Sequence, residues 1–201
     1  PVVLIAGLFW SFGPYVVRHI DEAQQVPWQY LFTRGVVIFT ILNLFLYLEE
    51  GSEFFENYKK IGISGLIGGV GLGIAMISFI YSITNTSAAV TLLCLAAMPF
   101  ITALLGFTFL KESISTNVWV AISIAAIGIL IMAIDNTGSN TIIGLVFGLL
   151  SSVGFAVFST TLRWKKDTPK FTTVALAGLF CCIFSGIMIL VNDLNFLSTG
   201  K

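Results

Sequence analysis

Seven apolar runs, each near the length of a membrane crossing, constrain this chain more than anything else in it. They are residues 2–18, 28–48, 61–84, 87–110, 117–134, 142–162 and 171–192. A helix rising 1.5 Å per residue needs about 20 apolar residues to cross a hydrocarbon core of about 30 Å. The stretches between the runs ("HIDEAQQVP", "EEGSEFFENYKK", "NT", "KESIST", "DNTGSNT" and "RWKKDTPK") are rich in turn formers and charge. No soluble domain fits between them. Only 10% of the 201 residues are charged, against about 25% in soluble domains. The predicted class is therefore an all-α membrane protein built as a multi-span helical bundle.

Ten basic and ten acidic residues cancel, which leaves no surplus charge to hold a phosphate backbone, so nucleic acid is excluded as a partner. Cys94, Cys181 and Cys182 lie inside apolar runs, where a thiol behaves as a small hydrophobe, and neither a disulfide framework nor a metal site is read from them. The chain begins at Pro1 without a charged leader or a small-residue cleavage site, so the first run is not a signal peptide. No glycine-rich phosphate loop with its lysine is present, and no catalytic constellation emerges. "GISG" at 62–65 resembles the serine motif of rhomboid-type proteases, but the lone His19 lies at the far end of another span, and a nucleophile needs its base within hydrogen-bond reach. A retinal-binding receptor is disfavoured by the absence of a lysine in the seventh run. The expectation is a non-enzyme without cofactor, whose partners are a small-molecule substrate, membrane lipid and, as an open possibility, a second copy of the chain.

Lys and Arg collect in cytoplasmic loops. Lys59, Lys60, Lys111, Arg163, Lys165, Lys166 and Lys170 fall on one side of the membrane, and Arg18, Arg34 and Lys201 on or toward the other. Seven against three places the N-terminus in the cytoplasm of an inner or plasma membrane. Comparing the first run with the sixth shows an internal repeat at an offset of 141 residues. Leu4, Gly7, Leu8, Ser11, Gly13 and Val16 recur as Leu145, Gly148, Leu149, Ser152, Gly154 and Val157. Five spans separate the copies, and five is odd, so the second copy is inverted, which is the build of many secondary transporters. The predicted organisation is residues 1–140 as a first five-helix repeat and 141–201 as two helices of an inverted second one, with three more expected after Lys201.

Several faces inside the membrane are candidates for packing or for a substrate path. In the third run Ser64, Gly68, Gly71, Ala75, Ser78 and Ser82 form a seam without large side chains, overlapping Gly65xxxGly69 and Gly69xxxGly73. Small residues let helix backbones approach in lipid, and Gly65, Gly68, Gly69 and Gly73 are assigned to packing, with Ala96 and Gly106 from the fourth run. Pro99 frees a backbone carbonyl in that run, tolerated where a neighbour or a cavity re-satisfies it. In the first run Ser11 and Tyr15 share a face, and Trp10 falls in the interior where interfacial anchoring does not explain it. Arg34 stands about six residues inside the outer edge marked by Trp28, a depth of roughly 9 Å. A central arginine costs roughly 2.5–3.5 kcal/mol on insertion scales and usually faces a bundle interior or water, although a long stem can also snorkel. The candidate substrate pathway is Trp10, Ser11, Tyr15, Arg34, Ser78, Tyr81, Pro99 and Ser152.

"PWQYLFTRG", "SITNTSAAVTLLCLAAMPFITALLGFTFLKES" and "WVAISIAAIGILIM" resemble the EamA-type proteins of the drug/metabolite transporter superfamily. The matching features are Arg34 early in the second run, Ala88 and Ala89 leading to Pro99, Glu112 at the end of the fourth run, and Gly128 in the fifth. The resemblance implies a ten-helix fold of two inverted five-helix repeats around a central cavity, with no bound cofactor. It also implies export or exchange of small metabolites such as amino acids by alternating access, with Arg34 near the pathway. The counterpart of Arg34 in the second repeat, near Ala177 and Gly178, has no arginine, so the implied site is asymmetric. The rival from another class is a non-transporting membrane scaffold or seven-span receptor, in which every feature above is packing.

Overall fold

The computed structural model describes residues 8, 27–51, 54–134 and 142–196. Six of the seven runs fall there and all six are helical; the first, with Trp10, Ser11, Tyr15 and all of the first copy of the repeat but Leu8, lies outside the described residues. The helices are α1 (Pro27–Glu50), α2 (Phe54–Lys60), α3 (Gly62–Asn85), α4 (Ala88–Leu95), α5 (Met98–Leu110), α6 (Thr116–Ile134), α7 (Ile142–Trp164) and α8 (Lys170–Val191). Five stretches are long and apolar enough to span: 27–49, 62–85, 88–110, 142–164 and 170–191, with a shorter apolar helix over 116–128. The protein is an all-α, multi-span membrane protein, and among the described residues it has no strand.

The core is α3. It packs against α7 and α8, α1 packs on α8 and touches α3, and α4 and α5 pack on α7. Some 72% of α3 is buried, against 17–33% of the other spans, so α3 is enclosed and the rest present large faces outward. All six positions of its small-residue seam are buried. The antiparallel pairing with α7 is close enough to bring backbones together: a Cβ built on Gly154 would stand 2.5 Å from the Gly71 carbonyl oxygen. Serine hydroxyls clasp the same seam. Ser151 donates to the Ala75 carbonyl at 3.0 Å, Ser82 to the Gly144 carbonyl at 2.8 Å, and Ser64 meets Thr168 at 2.7 Å. Interhelical hydrogen bonds and close backbone approach hold helices together where lipid gives no hydrophobic drive.

The fourth run is interrupted at Ala96 and Ala97, whose dihedrals both stay right-handed helical. α4 starts on Ser87, whose side chain accepts from the Val90 N–H at 3.2 Å, an ordinary N-cap. It ends at Leu95, and α5 begins at Met98 with Pro99 in its first turn. Proline is tolerated there because that N–H would be unpaired anyway. The expected mid-helix opening is thus a junction at Ala96 and Ala97, whose own N–H groups bond to the Leu92 and Cys94 carbonyls at 3.0 Å each.

α2 differs from the expected connecting loop. Its first turn holds Glu56 and its last Lys59 and Lys60, which suits the helix dipole, and Lys59 pairs with Glu56 at 2.8 Å. Tyr58 donates to the Asn43 side chain at 2.5 Å and Phe54 packs edge-on to Tyr47, fastening α2 to the end of α1. Burial pushes the Tyr58 phenol above its usual value, partly offset by the bond to Asn43.

Candidate functional site

A groove runs along the outward side of the α3–α7 pair. At its Trp28 end a cavity of about 380 Å³ is walled by Trp28, Ser78, Tyr81, Phe147, Phe180 and Phe184 with aliphatic neighbours. Ile74 and Leu150 are shared with a middle cavity of about 400 Å³ lined by Val70, Val153 and Val157 among others. Ile67 and Val157 are shared in turn with a third cavity of about 340 Å³, bounded by Leu105, Phe109, Thr160, Thr161 and Trp164. The groove therefore extends from near the start of α1 to the end of α7, the end where Lys59, Lys60, Lys111, Arg163 and Lys165 gather.

The Trp28 end is aromatic. Trp28 and Tyr81 have ring centroids 5.0 Å apart, Tyr81 and Phe147 5.3 Å, Trp28 and Phe184 5.8 Å, and Phe180 stacks on Phe184 at 6.3 Å. These separations are within the favourable range for tilted and offset aromatic pairs. Four elements contribute: α1, α3, α7 and α8. Ser78 lines the cavity too, but the surface facing it is apolar.

The candidate residues separate into distinct places. Ser78 and Tyr81 sit together in the aromatic cavity. Ser152 is fully buried and donates to the Cys94 carbonyl at 2.6 Å, inside the α4–α7 packing. Pro99 is exposed at the α4–α5 junction. Gly65, Gly68, Gly69 and Gly73 are buried against side chains of α7, α8 and the segment joining them, whereas Ala96 is exposed. Gly106 is buried beneath Glu112. Trp28 was read from the sequence only as a marker of the outer edge, and Phe147, Phe180 and Phe184 were not singled out; the (i, i+4) pair Phe180 and Phe184 is the signal that marks a common face.

Arg34 does not line the groove. It is half-buried on α1, and its guanidinium bears electrostatically on Cys181 of α8. It has no hydrogen-bond or ion-pair partner among the described residues. Its neighbour Gly35 explains the closeness: a Cβ there would lie 2.7 Å from the Cys182 backbone nitrogen and 2.8 Å from the Gly178 carbonyl.

At the opposite end Glu112 and Arg163 form an ion pair between the end of α5 and the end of α7. Lys111 adopts the left-handed conformation at φ 57°, which turns the chain so that the Glu112 N–H bonds back to the Gly106 carbonyl at 3.2 Å. That is the usual way of closing a helix C-terminus. It also folds the Glu112 carboxylate over Gly106, where a Cβ would stand 2.5 Å from Oε2. Among the described residues no group of His, Cys, Asp or Glu is placed to hold a metal ion.

The model of the EamA-like transporter family matches residues 1–134. An "Uncharacterized transporter" of Helicobacter pylori strain J99 is 26% identical over 200 residues, covering 99% of this chain and 66% of the relative. A second "Uncharacterized transporter", from H. pylori strain 26695, is 27% identical over 203 residues with the same coverage. The chain thus spans just under two thirds of the length of these relatives. No solved structure matches.

Proposed function

The chain belongs to the EamA-like transporter family, and from that premise we propose that it forms part of a secondary transporter for small metabolites such as amino acids. The transporter works by alternating access, as an exporter or exchanger in the inner or plasma membrane, with the N-terminus cytoplasmic. Residues 1–140 are the first repeat and 141–201 the start of its inverted partner. The observation that carries the reading is the aromatic cavity at one end of a groove that follows α3 and α7 across the bundle. A mostly apolar recess with a few placed polar groups is the usual form of a small-molecule site. Its rings cover the apolar part of a substrate. Where α1 crosses α8, Gly35 and Gly178 touch each other, the close approach that small residues allow in lipid. Arg34 acts as a fixed positive charge near that crossing.

The test is substrate counterflow by the purified full-length protein in liposomes, with a panel of labelled amino acids and related metabolites. Saturable counterflow that Tyr81→Ala weakens at least tenfold supports the reading. No counterflow with any member of the panel, by protein that remains folded, makes the chain a scaffold or receptor instead.

A further inference from the structure

The two ends of α5 are held in different ways. At its start Ala97 links it to α4: the Ala97 N–H bonds back to the Cys94 carbonyl at 3.0 Å, and the Ala97 carbonyl accepts from the Phe100 and Ile101 N–H groups at 3.1 and 3.0 Å. Pro99 has no N–H to give the Leu95 carbonyl, so the helical ladder is thinned where α5 begins. On the near side of that point α4 is fixed by buried groups. Ser152 of α7 donates to the Cys94 carbonyl at 2.6 Å, and Ser82 of α3 meets Thr91 at 2.9 Å. On the far side the hydroxyls of α5 are spent on its own helix, with Thr102 and Thr108 donating to the Met98 and Leu104 carbonyls at 2.8 and 2.9 Å. The cavity of about 340 Å³ parts Leu105 and Phe109 of α5 from Val157 and Trp164 of α7. Near the end of α5 the Glu112–Arg163 pair then ties it to α7. The pair is seated over a spot without a side chain: a Cβ on Gly106 would lie 2.5 Å from Glu112 Oε2 and 3.6 Å from Arg163 Nη1.

Resting on the transporter reading above, we infer that α5 is a lever, pivoting at Ala97 and latched at its far end by Glu112 and Arg163, whose release opens the groove at its basic end. The Arg163 and Glu112 side chains are 45% and 38% exposed. A pair that wet holds weakly and reforms readily, which suits a latch and not a permanent staple. On the transporter reading it joins a helix of the first repeat to a helix of the second, where one bundle gates against the other. Swinging α5 outward separates the walls of the cavity it shares with α7 and joins that cavity to water at the membrane surface. The buried clasps hold α4 on α3 and α7 meanwhile, so the movement is confined to the basic end.

The test follows both ends of the lever in the full-length protein in nanodiscs. Spin labels carried on a ketone-bearing amino acid leave every native cysteine in place. One pair of labels goes at the exposed positions Ser113 and Lys170 to follow the latch, and another at Ala89 and Ile142, also exposed, to follow the clasped end. Distances are read by double electron–electron resonance. Glu112→Gln, and separately Arg163→Gln, should raise the long-distance population of the 113–170 pair by roughly two- to fivefold, the size expected of a half-exposed ion pair. The 89–142 distance should not change. The reversed pair, Glu112→Arg with Arg163→Glu, should restore the short distance. Salt at about 1 M should lengthen the wild-type distance and leave Glu112→Gln as it is, because exposed charges are screened. A 113–170 distance in Glu112→Gln equal to that of wild type overturns the proposal. Lengthening of both label pairs also overturns it, as a loosening of the whole bundle, and so does a reversed pair that stays long. Saturable counterflow by protein whose 113–170 distance is the same in every variant sinks the latch alone. A latch that opens in the variants, with no counterflow of any substrate by wild type, keeps the lever and sinks the transporter reading.

Discussion

Gly154 stands where α7 meets α3 most closely, and replacing it with alanine is the sharpest test of the packing. The new Cβ would lie 2.5 Å from the Gly71 carbonyl oxygen and 2.9 Å from both the Ala75 backbone nitrogen and its Cβ. Backbone cannot turn aside as a side chain can, so the helices must part by about 0.9 Å to restore an ordinary 3.4 Å contact. Overpacking of this kind costs about 1–3 kcal/mol, and a gap of about 0.5–1 Å forfeits a quarter to a half of each dispersion contact. The neighbouring Ser151–Ala75 clasp, at 3.0 Å, stretches past bonding distance, at about 0.6 kcal/mol for an average interhelical hydrogen bond in a membrane. The sum is about 3 kcal/mol, a shift of about a hundredfold in the unfolding equilibrium. Gly128 on α6 supplies the control, since a Cβ there meets nothing within 4 Å. Gly128→Ala should be neutral or stabilising by up to roughly 1 kcal/mol, from helix propensity alone. Reversible unfolding of the purified full-length protein in bicelles, followed by steric trapping, measures both. A Gly154→Ala protein as stable as its parent, or equal shifts for the two variants, would refute the α3–α7 register described above.

Ser82→Ala removes the donor to the Gly144 carbonyl and the contact with Thr91 at 2.9 Å; we expect a loss of about 1 kcal/mol, read in the same unfolding assay. Arg34→Gln should leave insertion and folding intact, because the guanidinium has no partner among the described residues to lose and a costly charge leaves the membrane. Substrate counterflow should fall, and unchanged counterflow removes Arg34 from the mechanism. Tyr58 sets an alkaline limit. Its phenol is raised above 10.0 in the fold, so the unfolded chain loses its proton first. The stability Tyr58 contributes is complete below pH 10 and declines as pH rises through the folded value. Alkaline unfolding of wild type against Tyr58→Phe measures this, and a variant with the same alkaline midpoint would show that Tyr58 plays no part.

The run lengths made the helices legible, because a bilayer fixes the number of apolar residues a crossing needs. The α3 seam was legible for a related reason. Six small residues at heptad-like spacing leave one side of a helix without bulk, and Ser64, Gly68, Gly71, Ala75, Ser78 and Ser82 are all buried. Which helix fills that side was not legible, since nothing in the pattern of α3 selects α7 over any other glycine-bearing run. Pro99 marked a disruption, but the choice between a bent helix and two helices depended on how the chain beside Ala96 and Ala97 satisfies its backbone. Glu112 and Arg163 were read as span ends and as topology markers. Their pairing emerged only once Lys111 turned the chain and placed α5 beside α7. The aromatic cavity was least legible. In a lipid-facing helix a phenylalanine toward lipid and one toward a cavity have the same sequence signature, so Phe147 and Phe184 could not be told from Phe107.

The polar side chains of the spans are divided in a way that limits what this wall can do. Ser64, Ser82, Thr91, Ser151 and Ser152 are consumed by helix-to-helix contacts. The middle of the groove is left with Leu66, Ile67, Val70, Ile74, Leu150, Val153 and Val157 around two glycines. A charged or strongly polar group crossing that stretch would give up hydration without recovering hydrogen bonds from α3 or α7, a cost of several kcal/mol for an ion. What polar surface faces the groove is at its basic end, near the Glu112–Arg163 pair. Any polar surface offered to a substrate at mid-groove must come from residues outside α3 and α7.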